Sequence, residues 1–583
     1  MDTKRIILMV VFAFSVLTLW QNWEKENQPP APPAAQAAAP GVNPAAGTVP
    51  GSVPAGAPAA GGSGASGATA AVPTAAGAPG ANEATVAANA IEVKTDVVHA
   101  WIDPVGGNIV RLDMLTQNDP EDTTKPLSLL GPKHRYTLQS GFNGAGVPNH
   151  NTVFAAAQAS YTLDAGKDAI EVRLEAQGAE GVKAVKTFRF KRGSFLIEMT
   201  QSLTNNTAAA LPAQAAYFHL TRDGATPGGE TRFGVQTFTG PAIYTEERKY
   251  HKMSWSDLDK GKPDLPTGKI TDGWAAMVQH YFVSALLPKE GAERQYYAEQ
   301  VAPGLYRAGL KLPVAELAPG ASTQVTLPFY AGPQEQSTLK TLAKGLELVV
   351  DYGWLAIFAK PLFWLLQMFH SGADVFGIQI PGAGNWGIAI ILLTVLIKAV
   401  FFPLSAASYR SMAKMKVVAP RLQKLKEQYG DDRMKLNQAM MEMYKTEKIN
   451  PLGGCLPIVV QIPVFLALYW TLLGAVELRQ APLFGWVHDL SLPDPLYVLP
   501  LLMLGSMVLQ TRLSPKPPDP VQAKVMMVMP FIFGIMFFWF PSGLVLYWLV
   551  NNILSIAQQW QITRMIEGGA AAAGAGRGKA AND

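Results

Sequence analysis

The feature that most constrains this chain is the stretch 388–402, an apolar run long enough to help cross a bilayer and carrying one cation, Lys398. A charge on a membrane-spanning helix costs a few kcal/mol on insertion scales, so by default it faces protein or water rather than lipid. A Lys/Arg- and Met-rich segment, 405–450, follows at once, and then further apolar stretches. A polar point inside an apolar bundle, beside a basic hairpin, implies handling of something hydrophobic that must pass a polar zone.

Composition agrees with a membrane-embedded chain. Hydrophobic residues make up 49% and charged residues only 16% of the 583, which is apolar for a soluble protein. The net charge of +4 is small, so its local placement matters more than the sum. The single cysteine, Cys455, excludes an intramolecular disulfide and any cysteine-based metal cluster.

At the N-terminus, Lys4 and Arg5 precede an apolar core at 6–20 and a polar flank from Gln21. A cleaved signal peptide and an uncleaved anchor both fit that outline. The charged flank Glu24, Lys25, Glu26 and the lack of a small-x-small site before Ala35-Gln36-Ala37 favour an anchor over 1–26, its N-terminus inside. Residues 27–90 are dominated by Ala, Pro and Gly and cannot bury enough surface to offset their ordering entropy, which predicts a disordered linker.

From 91 to 333 the pattern changes to short alternating segments broken by Gly, Pro and Asn, such as 169–175, 186–190 and 195–199. Period-2 alternation with regular turn signals predicts one large antiparallel β-sandwich. Residues 337–370 read as helical and, from Leu348 onward, apolar and aromatic but interrupted by Asp351, Lys360 and Pro361. That composition suits a helix lying in the headgroup region.

Spans are predicted at 6–20, 385–404, 456–474, 496–513, 525–540 and 544–562, six in all with five in a core over 385–562. With an inside N-terminus, the hairpin 405–450 and a disordered tail at 563–583 are cytoplasmic. The hairpin holds ten Lys/Arg residues, whereas the external loop 475–495 holds only Arg479. A seventh span at 348–369 would place the basic hairpin outside, against the positive-inside rule. The sandwich then lies outside, in the periplasm of a two-membrane bacterium.

Lys398 has two readings from periodicity alone. It lies five residues before Pro403, about 7.5 Å along a helix axis, close enough to snorkel to the cytoplasmic interface. Alternatively it lines a wet cavity, with Thr394 one turn earlier on the same face. In the hairpin, Met415, Val418, Leu422, Leu425 and Tyr429 follow helical spacing up to Gly430, a place that suits a C-cap. Asp431 or Asp432 can cap a second helix carrying Leu436, Met440 and Met443. Its basic residues suit a polyanion, and its methionines an adaptable apolar surface. The short link Phe540-Pro541-Ser542-Gly543-Leu544 predicts that the helices it joins are adjacent and antiparallel. No Walker loop, HExxH or GxSxG pattern is present, and His219, His251 and His280 read as ordinary surface or core residues.

Five strings carry a resemblance: Gly353-Trp354, Ser411-Met412-Ala413-Lys414-Met415, Asn450-Pro451-Leu452-Gly453-Gly454-Cys455, Val476-Glu477-Leu478-Arg479-Gln480-Ala481-Pro482, and Phe540 to Tyr547. In that order they make the chain resemble the YidC/Oxa membrane protein insertases in their long Gram-negative form. One departure is Lys398, where the family usually has arginine. The resemblance implies a cytoplasm-open hydrophilic groove that receives hydrophobic segments of nascent membrane proteins from the ribosome or the Sec translocon. It releases them sideways into the lipid of the inner membrane. No enzyme activity, ATP hydrolysis, cofactor, metal or DNA partner is implied, and the sandwich resembles sugar-binding supersandwich folds. By residue, the resemblance assigns Lys398, Thr394, Tyr547 and Trp548 to the groove. It assigns Met412, Lys414, Met415, Lys424, Lys426, Met440 and Met443 to substrate or ribosome contact. A secondary transporter or channel is the alternative, disfavoured by the lack of paired intramembrane acids. An anchored sugar-modifying enzyme is a third, disfavoured because an anchor needs one span.

Overall fold

A computed structural model of the chain describes residues 89–178, 181–225, 237–375, 378–430, 432–447, 456–514 and 520–579. The expected anchor, and the expected linker up to residue 88, lie outside the described residues.

The first half is a sandwich of two nine-stranded sheets. One sheet runs, in spatial order, from Gln295–Ala302 through Leu305–Val314, Gln214–Asp223, Thr137–Asn143, Asn108–Asn118 and Val98–Asp103 to Ile91–Lys94. The other is centred on Ser322–Pro333, which pairs with Phe282–Leu286 on one side and Leu196–Asn205 on the other. Pairing is antiparallel between these strands, and Ile91–Lys94 pairs in parallel with Ser160–Thr162. Alternation does what period 2 requires: in Val182–Lys191 every even residue is buried.

One of those even residues is Lys186, a cation on the core face. Its ammonium donates to the Ser140 carbonyl (2.6 Å), the Ser140 hydroxyl (3.0 Å) and the Gly106 carbonyl, and lies 5.0 Å from the Phe154 ring centre. Nearby, His219 is wholly buried between the Tyr297 hydroxyl (2.8 Å) and Gln139 (2.9 Å), a core histidine as its sequence context predicts.

Among the described residues the α-helices are α1 (Trp255–Asp259), within the sandwich, and then α2 (Gln336–Leu342), α3 (Ala356–Ser371), α4 (Trp386–Val400), α5 (Phe402–Gln428), α6 (Arg433–Thr446), α7 (Leu456–Gly474), α8 (Val498–Leu513), α9 (Pro520–Met536) and α10 (Ser542–Lys579). Among the described residues no single helix is long and apolar enough to cross a membrane. The stretch Trp386–Val400 with Phe402–Ser411 passes only as a pair bent by 62°. The bend falls where the sequence reading runs one span on to 404. Pro403 sits in the first turn of α5, where its missing N–H costs nothing, so a new helix starts instead.

Two further expectations differ from what is observed. Helix α10 continues through Lys579, past the point where a disordered tail is expected, and the alanine run 570–573 supplies the helix propensity that its glycines lack. The Phe540–Leu544 link does not lay α9 along α10. The segment 490–493 bonds into the turn, Ser542 N–H donating to Leu492 O (2.7 Å) and Gly543 N–H to Leu490 O (2.9 Å), and α8 packs against both helices.

Sandwich and helices share an apolar core. Tyr244, Trp274 and Ala276 on the outer face of the second sheet cluster with Leu362 and Phe363 of α3, Ile390 and Leu393 of α4, and Tyr547 of α10. Conversely, Val476, just beyond α7, belongs to the core of the sandwich itself. Beside it Arg479 donates to the Asn118 carbonyl (2.9 Å) and Gln117 (3.2 Å), its guanidinium 5.3 Å from the Tyr281 ring centre. His280 meets the carbonyl of Leu473 at 3.1 Å.

Burial pushes Lys186 from its ordinary 10.5 down to about 7. A folded value below the unfolded one means that the unfolded chain holds the extra proton between these pH values, so stability rises with pH across that window. The denaturant midpoint of the sandwich should therefore climb from pH 7 to pH 9, and Lys186→Met should flatten the climb. An identical slope in the two proteins would rule the lysine out as its source.

Candidate functional site

Polar side chains inside the helical part form one seam, and α10 is its spine. Asn551, Ser555 and Gln559 recur at intervals of four and so share a face. Ser555 and Gln559 are buried. Lys398, in the last turn of α4, places its ammonium 2.7 Å from the Ser555 hydroxyl. Ser555 in turn donates to the carbonyl of Asn551 (2.7 Å). Gln461 of α7 donates to the Asn551 side chain (3.1 Å), and Asn552 donates to the Ser506 hydroxyl of α8 (2.8 Å).

Lys398 is 7% exposed, which decides against the snorkelling geometry: the side chain runs across to α10 rather than out to the interface. Its position also suits the charge, because the carbonyl end of a helix stabilises a cation. Among the described residues no carboxylate lies within ion-pair distance of it.

The other expected groove residues lie along the same bundle. Thr394 is buried and its hydroxyl donates to the Ile390 carbonyl one turn back (2.7 Å), so that proton is not free for a ligand. Tyr547 and Trp548 sit seven to eight residues before Ser555, about 10–12 Å along the axis. They share Phe465 of α7: Tyr547 stacks on its ring at 6.3 Å, and Trp548 meets it edge-on at 4.6 Å. The Trp548 indole N–H is buried without a protein partner among the described residues.

Sequence reasoning missed Ser555, Asn551, Asn552, Gln461 and Ser506. Their signal was present as the uncharged polar stripe 551, 555, 559, but a search for charges passes over it.

In the hairpin, Asp432 caps α6 by accepting from the Lys435 N–H (3.1 Å), as its sequence predicts. Helix α5 ends at Gln428 and is capped by Tyr429, which donates to Leu425 O, so Gly430 stands one residue past the cap. Arg421 and Glu447 tie the two helices at 2.7 Å, an exposed pair that adds little stability. Lys414 and Lys424 are exposed, while Met415, Met440 and Met443 are only half-exposed. Met434 and Met441 carry the open apolar surface, at 82% and 56% exposure. The side chains of Met412 and Lys426 lie outside the described residues.

A β-sandwich that shares a core with a bundle of apolar helices, themselves threaded by a polar seam and prolonged by a basic hairpin, defines a polytopic membrane protein with a large external domain. Residues 90–365 match the YidC periplasmic domain model, and residues 379–569 match that of the 60Kd inner membrane protein. The chain is 48% identical to the membrane protein insertase YidC of Dechloromonas aromatica, over all of both chains. It is 51% identical to that of Aromatoleum aromaticum, over 97% of this chain and 98% of the other. A crystal structure of an active YidC insertase with its first transmembrane domain resolved aligns over 80% of this chain and 92% of that one. Its TM-score is 0.37 at 17% identity, too loose a likeness to argue from. The chain belongs to the YidC family of inner-membrane proteins with a periplasmic domain.

Proposed function

We propose that this protein is a membrane protein insertase that takes hydrophobic segments of nascent chains into the seam around Lys398 and passes them sideways into the lipid. The family supports the insertase activity. The observation that carries the route is a nearly buried lysine with no carboxylate within ion-pair distance among the described residues. A lone ammonium in a low-dielectric bundle attracts an acidic, short external tail and lowers its desolvation cost. Partition of the apolar segment into lipid then supplies the driving force, with no nucleotide required.

The topology in this reading is six spans, both termini cytoplasmic and the sandwich periplasmic. Hand-over from the ribosome or the Sec translocon occurs at the basic hairpin. Crosslinking a stalled nascent chain from photoreactive groups at positions 394 and 547 tests the route, and labelling confined to the outer lipid-facing residues would argue against it.

Charge at position 398 should matter more than shape. Lys398→Arg should keep insertion of an acidic-tailed segment within about threefold of the parent, whereas Lys398→Glu should cost tenfold or more, the scale of one charge-assisted contact. Undiminished activity of the glutamate variant would refute the charge role.

Hairpin function separates by salt. Reversing the charge of Lys414, Lys424 and Lys435 should weaken ribosome binding and flatten its steep salt dependence, because fewer phosphate contacts release fewer counterions. Polar replacement of Met434 and Met441 should instead reduce nascent-chain crosslinking that persists at high salt, since apolar burial is not screened. Ribosome affinity that survives the charge reversal would leave the hairpin as a substrate surface alone.

A further inference from the structure

The proton of the Ser555 hydroxyl is already in use. A hydroxyl has one proton and two lone pairs. The proton goes to the Asn551 carbonyl, one turn back on α10. The oxygen faces the Lys398 ammonium at 2.7 Å. With its own proton used, Ser555 is held as an acceptor, the role a cation requires. Lys398 by contrast uses one of its three N–H groups, and among the described residues no other side chain or carbonyl takes the remaining two. Without this acceptor the lysine has an easy alternative. It lies in the last turn of α4, three residues before the bend at Phe401, and its four-carbon stem is long enough to reach the cytoplasmic interface.

We propose that Ser555 is a positioning residue for substrate selection: it pins the Lys398 ammonium against α10, leaving two N–H groups for the carboxylates of an incoming segment's tail. This inference rests on the insertase reading above. Ser555 touches no substrate in this account and acts only through Lys398. Selection of acidic tails then depends on a serine 157 residues away in sequence as much as on the lysine itself.

The test uses the full chain in proteoliposomes and a single-span segment whose short external tail carries two aspartates, or two asparagines in their place. Ser555→Ala should lower insertion of the aspartate-tailed segment about tenfold, the scale of one hydrogen bond to a charged group, and that of the asparagine-tailed one less than twofold. Ser555→Thr, which restores the hydroxyl, should recover most of the loss. In a Lys398→Met background, Ser555→Ala should have no further effect. Equal losses for both tails, a loss that persists without the lysine, or no loss at all would each overturn the inference. Those results leave the insertase reading intact as long as the parent protein inserts. A parent protein no better than protein-free vesicles would remove that reading, and this inference with it.

Discussion

A cation among apolar helices must be given partners or water, and in this bundle that requirement converges on α10. Lys398 of α4, Gln461 of α7 and Ser506 of α8 each reach α10 through one polar contact, at Ser555, Asn551 and Asn552. Such interhelical bonds are worth roughly 0.6–2 kcal/mol each in membrane proteins, too little to hold a bundle alone. Their value lies in register. Apolar helices can slide or rotate against one another at small cost, whereas three bonds from three different helices fix both the rotation and the height of α10.

The opposite constraint acts at the outer end. Val476 is buried in the sandwich core, Arg479 bridges to Gln117 and Asn118, and His280 meets the last turn of α7. Burial pushes His280 down to about 4, so at neutral pH it is the uncharged imidazole that makes this contact. Moving the outer end of α7 therefore means pulling an apolar side chain from one core and a guanidinium from its carbonyl. The helix whose Phe465 meets both Tyr547 and Trp548 is thus anchored from outside, and the sandwich works as a fixed abutment for the seam.

Most of this architecture was legible in the sequence. Period-2 alternation marked the sandwich strands, and the long apolar runs marked the helices. What alternation could not reveal is that one inward position is Lys186, because its acceptors Gly106 and Ser140 lie 80 and 46 residues away. The turn at Phe540–Leu544 differs from its expectation for the same reason: its length is plain in the sequence, but segment 490–493, which bonds into it, is remote in sequence. Within the seam, Lys398 announced itself by charge, while Ser555 and Asn551 are ordinary residues made significant by what lies across from them. The hairpin methionines show the limit differently. Helical spacing put Met415, Met440 and Met443 on packing faces, and packing is what half-covers them, so the open surface falls to Met434 and Met441.

The same inventory fixes where water can enter. The Ser555 proton is committed to Asn551, the Thr394 proton is committed to Ile390, and the remaining Lys398 donors need an acceptor that the described side chains do not supply. A compact ammonium is strongly hydrated, more so than a guanidinium, so lysine at this position calls for water in the seam. The outer end is closely packed at two glycines. A methyl group added at Gly387 would lie 2.1 Å from Leu483, and one at Gly543 would lie 3.2 Å from the Leu490 carbonyl oxygen and 3.4 Å from Ile390, so the external loop sits directly on the starts of α4 and α10. Water that hydrates Lys398 comes, in the insertase reading, from the inner side, past the bend between α4 and α5. In the insertase reading, a seam plugged outside and wet inside presents its charge to the cytoplasm, the side from which a nascent chain arrives.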